Sequence, residues 1–147
     1  MKSERRRLEK GSGLVEFAIS LVVVLTVLFG IIDTGRALYA YNWCSNSARL
    51  GTRFMMVRGT KCTLLSGGCP ATGTDATNYI ESNAVGIDTG QVTVTTWCWA
   101  DTVKNNPPCP PQALVQVQVQ YNFKFVTPFV PLSGWTMQST SERVVQN

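Results

Sequence analysis

LVEFAISLVVVLTVLFGII, Leu14 to Ile32, is the stretch that decides the architecture. It holds 19 residues and a single charge, Glu16. Wound as a helix at 1.5 Å per residue it spans about 28 Å, close to the hydrocarbon thickness of a bilayer. Its Val and Ile residues are poor helix formers in water. In lipid, however, every backbone polar group must bond within its own segment, so the helix prevails.

Charge distribution orients this segment. The first ten residues carry five of the chain's 13 basic side chains (Lys2, Arg5, Arg6, Arg7, Lys10) against Glu4 and Glu9, hence three of the four net positive charges. Beyond Ile32 only Asp33 and Arg36 lie nearby. The positive-inside bias therefore predicts a single-pass protein with a cytoplasmic N-terminus and the bulk of the chain outside. The remaining residues are close to neutral and show no basic stripe, which argues against nucleic acid as a partner. The apolar run is too long for a cleaved signal's core, and no A-x-A site follows it. A twin-arginine reading of the basic tail fails at Leu8-Glu9-Lys10.

The chain has no histidine, so the commonest general base and metal ligand are both missing. Nucleophile-elbow and phosphate-loop patterns are missing too, and the reading is that the protein is not an enzyme and has no cofactor or metal. Five cysteines occur without a CxxC pair: Cys44, Cys62, Cys69, Cys98 and Cys109. Cys62 and Cys69 flank a Gly-rich loop (Leu64 to Gly68), while Cys98 and Cys109 flank a Pro-rich one (Asn105 to Pro111). These four are the disulfide candidates, with three connectivities open to two bridges, and Cys44 is left unpaired on the helix. Oxidation implies a periplasmic or extracellular location. The acids Asp75, Glu81, Asp88 and Asp101 are scattered and lack calcium-loop spacing. Trp97-Cys98-Trp99 reads either as an adhesive patch or as a strand with one side packed.

From Asp33 to Arg58 there is no proline, and small residues (Ala37, Ala40, Ser47, Ala48, Gly51) interleave with aromatics. The helix is expected to run on from Leu14 to Arg58, about 65–70 Å. Leu50, Phe54 and Val57 form its buried stripe and Gly59 its stop. After Gly59 come a loop over Thr60 to Gly73 and a short helix capped by Asp75 and ending at Asn83. Strands follow at Gln91–Thr96, Gln112–Phe125 and Trp135–Val145. The middle one alternates most clearly, with Ala113, Val115, Val117, Val119, Tyr121, Phe123 and Phe125 on one face. About three antiparallel strands need a cover for one apolar face, and the Asp33–Arg58 half of the helix is available. The predicted class is α+β, a long N-terminal helix packed on a small antiparallel sheet. Its divisions are a leader over 1–11, a membrane helix over 12–32, an amphipathic continuation over 33–59 and an extracytoplasmic domain over 60–147.

Glu16 is the anomaly. A carboxylate in a membrane helix costs about 2.5–3.5 kcal/mol at the bilayer centre and less near the interface, where it can snorkel to water. Five residues before it stands Gly11, after the charged tail. Gly11-Ser12-Gly13-Leu14-Val15-Glu16-Phe17 resembles the processing site of type IV pilin-like proteins. Its Glu16-Phe17 pair is similar to that of tight-adherence (Flp, type IVc) pilins. Gly30 to Asn42, with Asp33-Thr34-Gly35-Arg36, resembles the segment after the membrane helix of the TadE-like family. Ser47-Ala48-Arg49-Leu50-Gly51-Thr52-Arg53 is similar to that family's Ala-Ala-Arg-x-Gly-Ala-Arg pattern. The end of the chain, Tyr121 to Arg143 with Thr127-Pro128 and Pro131-Leu132, resembles it as well. Ser12 and Gly13 depart from the Phe-Thr start of secretion pseudopilins.

The resemblance implies a pilin-like fold and a minor pilin or pseudopilin of a tight-adherence type IV pilus. It implies cutting by prepilin peptidase between Gly11 and Ser12, with methylation as an accompanying modification. Partners would be that peptidase, other pilin and minor pilin subunits, the inner-membrane assembly platform and the lipid bilayer. The protein would reside in a bacterial inner membrane, with its C-terminal domain periplasmic or carried into an extracellular adhesive fibre. Glu16, with Phe17 beside it, would set axial register: freeing the Ser12 amine lets a neighbouring subunit present a cation to Glu16, which offsets its desolvation. The alternative is a membrane-anchored periplasmic binding domain that enters no fibre.

Overall fold

The computed structural model describes residues 2–62, 69–100, 102–126 and 134–146, with side chains from residue 12 on. In chain order it comprises helix α1 (Lys2–Val57), helix α2 (Gly73–Ser82), a 3-10 turn (Thr89–Gln91) and strands β1 (Val92–Ala100), β2 (Val103–Asn105), β3 (Leu114–Phe123) and β4 (Trp135–Val144). The class is the expected α+β, a long helix packed on an antiparallel sheet. The sheet has four strands rather than three, in the order β2-β1-β3-β4. The chain divides into two compact units, Met1–Arg36 with Phe125–Leu132 and Ala37–Lys124 with Ser133–Asn147. The second holds the sheet and the second half of α1.

Strict alternation in β3 builds that second unit. Val115, Val117, Val119, Tyr121 and Phe123 are buried, whereas Gln116, Gln118 and Gln120 are half-buried on the opposite face. Burying a side chain such as Val or Phe contributes about 1.5–3 kcal/mol. Antiparallel partners on both sides continue the pattern, for Val117 lies opposite Thr96 of β1 and Ser141 of β4. β1 runs on to Ala100, past the expected end at Thr96, because Trp97-Cys98-Trp99 sustains the alternation with Cys98 buried. β2 was not foreseen. Its three residues are all exposed, and it forms only by returning along β1, with Cys98 opposite Asn105.

The buried stripe of α1 differs from expectation. Ala40, Trp43, Cys44, Ser47, Ala48, Gly51, Thr52 and Met55 are buried. Leu50 and Phe54 are only half-buried, and Val57 is exposed. Close approach explains the choice of small residues. A Cβ on Gly51 would lie 2.8 Å from Ile80 Cδ1 on α2 and 3.1 Å from Val117 Cγ1 on β3. Leu50 and Phe54 are turned to the flank. The Phe54 ring stacks on Tyr79 at 4.5 Å and carries the Arg58 guanidinium at 4.1 Å. The Thr52 hydroxyl donates to the Ala48 carbonyl at 2.5 Å and leans on the Ser141 carbonyl at 3.4 Å.

α1 ends at Val57, one residue short of the expected Arg58. The Arg58 N–H bonds back to the Met55 carbonyl at 3.1 Å, an i to i−3 bond that tightens the last turn. The chain beyond is fastened at once: Thr60 N–H bonds to Cys109 O and Ala71 N–H to Arg58 O, both at 2.9 Å. The short helix starts at Gly73, and its cap is Thr72 rather than Asp75. Asp75 serves instead as the third-position carboxylate of a capping box, accepting the Thr72 N–H at 2.8 Å while its own N–H reaches the Thr72 hydroxyl.

Candidate functional site

The apolar run forms the first half of α1, in the first unit. An 18-residue window of the helix reaches a mean hydropathy of 2.7 with none of it buried. Leu14, Phe17, Ile19, Val23, Val27 and Ile31 are each more than half exposed. An apolar surface this long and continuous does not stand in water. The helix is long and apolar enough to cross a bilayer and is compatible with a single-pass membrane anchor. Two of its hydroxyls suit that surrounding, since Thr26 donates to Val22 O and Thr34 to Gly30 O, both at 2.8 Å, so neither donor faces hydrocarbon unpaired.

Glu16 sits on this segment, exposed, within a row of polar side chains at helical spacing: Ser12, Glu16 and Ser20, flanked by Val15 and Ile19. Its carboxylate has no hydrogen-bonding or ion-pairing partner among the described residues. Phe17 is exposed beside it. Gly11 and Ser12 lie inside α1, which begins at Lys2 rather than at Leu14, so in the uncut chain their shared peptide bond is helical.

Asp33, one residue past the run, is 4% exposed. It accepts the Val126 N–H on both oxygens, at 3.2 and 3.3 Å, and pairs with Arg36 at 3.0 Å. A buried carboxylate stands here because it has both a backbone donor and a cation. The sequence flags Asp33 only as part of the Asp-x-Gly-Arg stretch. Nothing local in the sequence points to Val126, 93 positions away.

In the second unit Cys62 is bonded to Cys69 and Cys98 to Cys109, with Cα separations of 5.6 and 5.4 Å. Cys44 is a free thiol at 0% exposure, and burial pushes its pKa up to about 11. Trp97 and Trp99 share the outer face of the sheet, half-buried. Lys104 lies over the Trp97 ring at 3.8 Å, and the Trp99 indole N–H donates to Gln116 Oε1 at 3.3 Å. Both rings are thus already engaged within the chain. Asp88 caps the 3-10 turn, and Asp75 is held below the usual carboxylate range by the backbone N–H and hydroxyl of Thr72. Among the described residues no three His, Cys, Asp or Glu side chains gather as a metal site. Asp101, the Leu64 to Gly68 loop and the Thr127-Pro128 and Pro131-Leu132 pairs lie outside the described residues.

Residues 11–53 match a family model described as TadE-like protein. The matched span opens at Gly11, the expected cleavage glycine, and closes at Arg53, the last residue of the second motif. The Tyr121 to Arg143 resemblance falls outside it. No curated protein and no solved structure matches the chain. Residues 11–53, from the apolar run through most of the packed helix, are thus similar to the TadE-like family.

Proposed function

We propose that the protein is a minor pilin or pseudopilin that takes part in assembling a tight-adherence type IV pilus and has no enzymatic activity of its own. The observation that carries this reading is that the TadE-like match over residues 11–53 takes in the whole exposed apolar run, together with a Glu16 that has no partner among the described residues. In this reading the N-terminus is cytoplasmic, held there by the basic tail. Prepilin peptidase removes residues 1–11, after which the apolar half of α1 leaves the lipid for a bundle of neighbouring helices. Glu16 then meets the Ser12 amine of an adjacent subunit, and their pairing offsets the desolvation of both charges and fixes register. The disulfide-bearing domain remains outside the membrane, on the periplasmic side or on the fibre.

The test is the intact mass and N-terminal sequence of the membrane-extracted protein, from hosts with and without the peptidase. A chain starting at Ser12 only when the peptidase is present supports the proposal. An uncut N-terminus in both hosts would make it an anchored binding domain instead, and a start beyond Ile32 would make the apolar run a secretory signal.

A further inference from the structure

A cleft of about 350 Å³ opens in the second unit between α1 and the edge strand β4, lined by Asn46, Arg49, Leu50, Arg53, Ser141 and Arg143. Arg49 and Arg53 project one turn apart from the outward face of α1, about 6 Å along its axis. Arg143 joins them from β4. All three are exposed, and none has a carboxylate partner among the described residues. Three guanidiniums lining one cleft repel, and no described carboxylate relieves the repulsion. The neighbouring Glu142 cannot help, because it lies on the opposite face of β4 and accepts the Gln116 amide. Asn46 and Ser141 add neutral polar groups to the walls, and Leu50 an apolar floor.

We infer that this cleft is a docking surface for a carboxylate-bearing segment of another protein. Guanidiniums are suited to planar, bidentate recognition of carboxylates. Their spread over a helical turn and a facing strand suits several carboxylates strung along a chain better than one small anion. The described carboxylates of a second copy do not supply them. Among its described carboxylates Asp33 is buried on Val126 and Arg36, Asp75 and Asp88 are caps, Glu142 is engaged with Gln116, and Glu16 lies in the apolar run; only Glu81 remains. The partner is therefore a different, acidic subunit. This identification rests on the assembly role proposed above.

The test uses the full chain in phosphatidylcholine nanodiscs titrated with fluorescent hexaglutamate, followed by anisotropy. Saturable binding that weakens at least tenfold in R49Q/R53Q, and stays within twofold of wild type in K61Q/K124Q, supports the cleft. R143Q alone, on the other element, is expected to weaken it at least threefold. Equal losses in both double variants, or the absence of saturable binding, would overturn the inference. So would displacement by inorganic phosphate at equal charge concentration, which would indicate a small-anion site. Processing at Ser12, measured in the same preparations, is independent of these arginines. Its loss with binding retained would sink the assembly reading alone, and binding lost with processing intact would sink only the docking surface.

Discussion

Replacing Asp33 with alanine removes the one described side chain that fastens Val126 to α1. Two of its described interactions go. The bond from the Val126 N–H is charge-assisted, a class that contributes about 1.5–3 kcal/mol when buried. Val126 is itself 62% exposed, so water can take over much of the donor's partnership and the effect falls below that range. The Arg36 pair is an i, i+3 contact whose cation is 44% exposed, and it adds at most a few tenths of a kcal/mol. The net local loss is about 1.4 kcal/mol, which is about a tenfold rise in opening. Hydrogen exchange of the Val126 amide, in the full chain held in detergent micelles, reads this directly. Asp33→Ala should exchange about tenfold faster at Val126, and Asp33→Asn, which keeps one acceptor oxygen, about threefold faster. Amides of β3 should not change. Exchange at Val126 within twofold of wild type in Asp33→Ala would refute the account of why a carboxylate is buried there.

Phe123→Ala empties a fully buried ring site and should cost about 3–5 kcal/mol in chemical denaturation. Removing Cys98 and Cys109 together, as alanines, releases an 11-residue separation, and loop entropy sets the expected loss at about 3 kcal/mol by thermal unfolding. Thr72→Ala should cost about 1 kcal/mol through the lost cap on α2. The depressed pKa of Asp75 means its contribution is fully present above its unfolded value, near 3.9, and lost as pH falls through the folded one. The thermal midpoints of wild type and Asp75→Asn should therefore differ at pH 6 and converge as the pH falls through the depressed folded-state value. Glu16→Ala should still fractionate with membranes yet be depleted from sheared fibres; full incorporation would count against the register role.

Segregated patterns were the legible part of this sequence. The Leu14–Ile32 run, the basic tail and the period-2 alternation of β3 each repeat one physical signal over ten or more residues, so the helix, its apolar half and the central strand could be read directly. The packed face of α1 was misread for a reason that the Gly51 contacts make plain. Leu50, Phe54 and Val57 are large and helically spaced, which in an ordinary amphipathic helix marks the core. Here the sheet and α2 come so near Gly51 that no side chain fits there, Ala, Ser and Cys fill much of the rest of that face beside Trp43, Thr52 and Met55, and Leu50 and Phe54 are pushed to the flank. β2 carried no signal at all, as three exposed residues cannot express a period. The three-arginine cleft was equally hidden. Arg49 and Arg53 could be paired on one helix face from their spacing, but Arg143 reaches them only through the β3–β4 register, which depends on the whole sheet.

Cys44 has a consequence for how the chain survives its surroundings. It is the odd thiol in a molecule that otherwise carries two bridges, and exchange with a bridge requires the thiolate. With a pKa of about 11, about one molecule in ten thousand holds that thiolate at pH 7, against a few per cent for an ordinary cysteine. No path from solvent reaches the sulfur while α1 lies on the sheet. Scrambling is thus confined to the interval before the helix docks, when Cys44 is open and all four bridging partners are still thiols or freshly oxidised. The order of events then matters wherever the two bridges form: the packed face of α1 must close over Cys44 faster than a wrong partner can find it, and once closed it acts as the chain's own seal against dimerisation through that thiol.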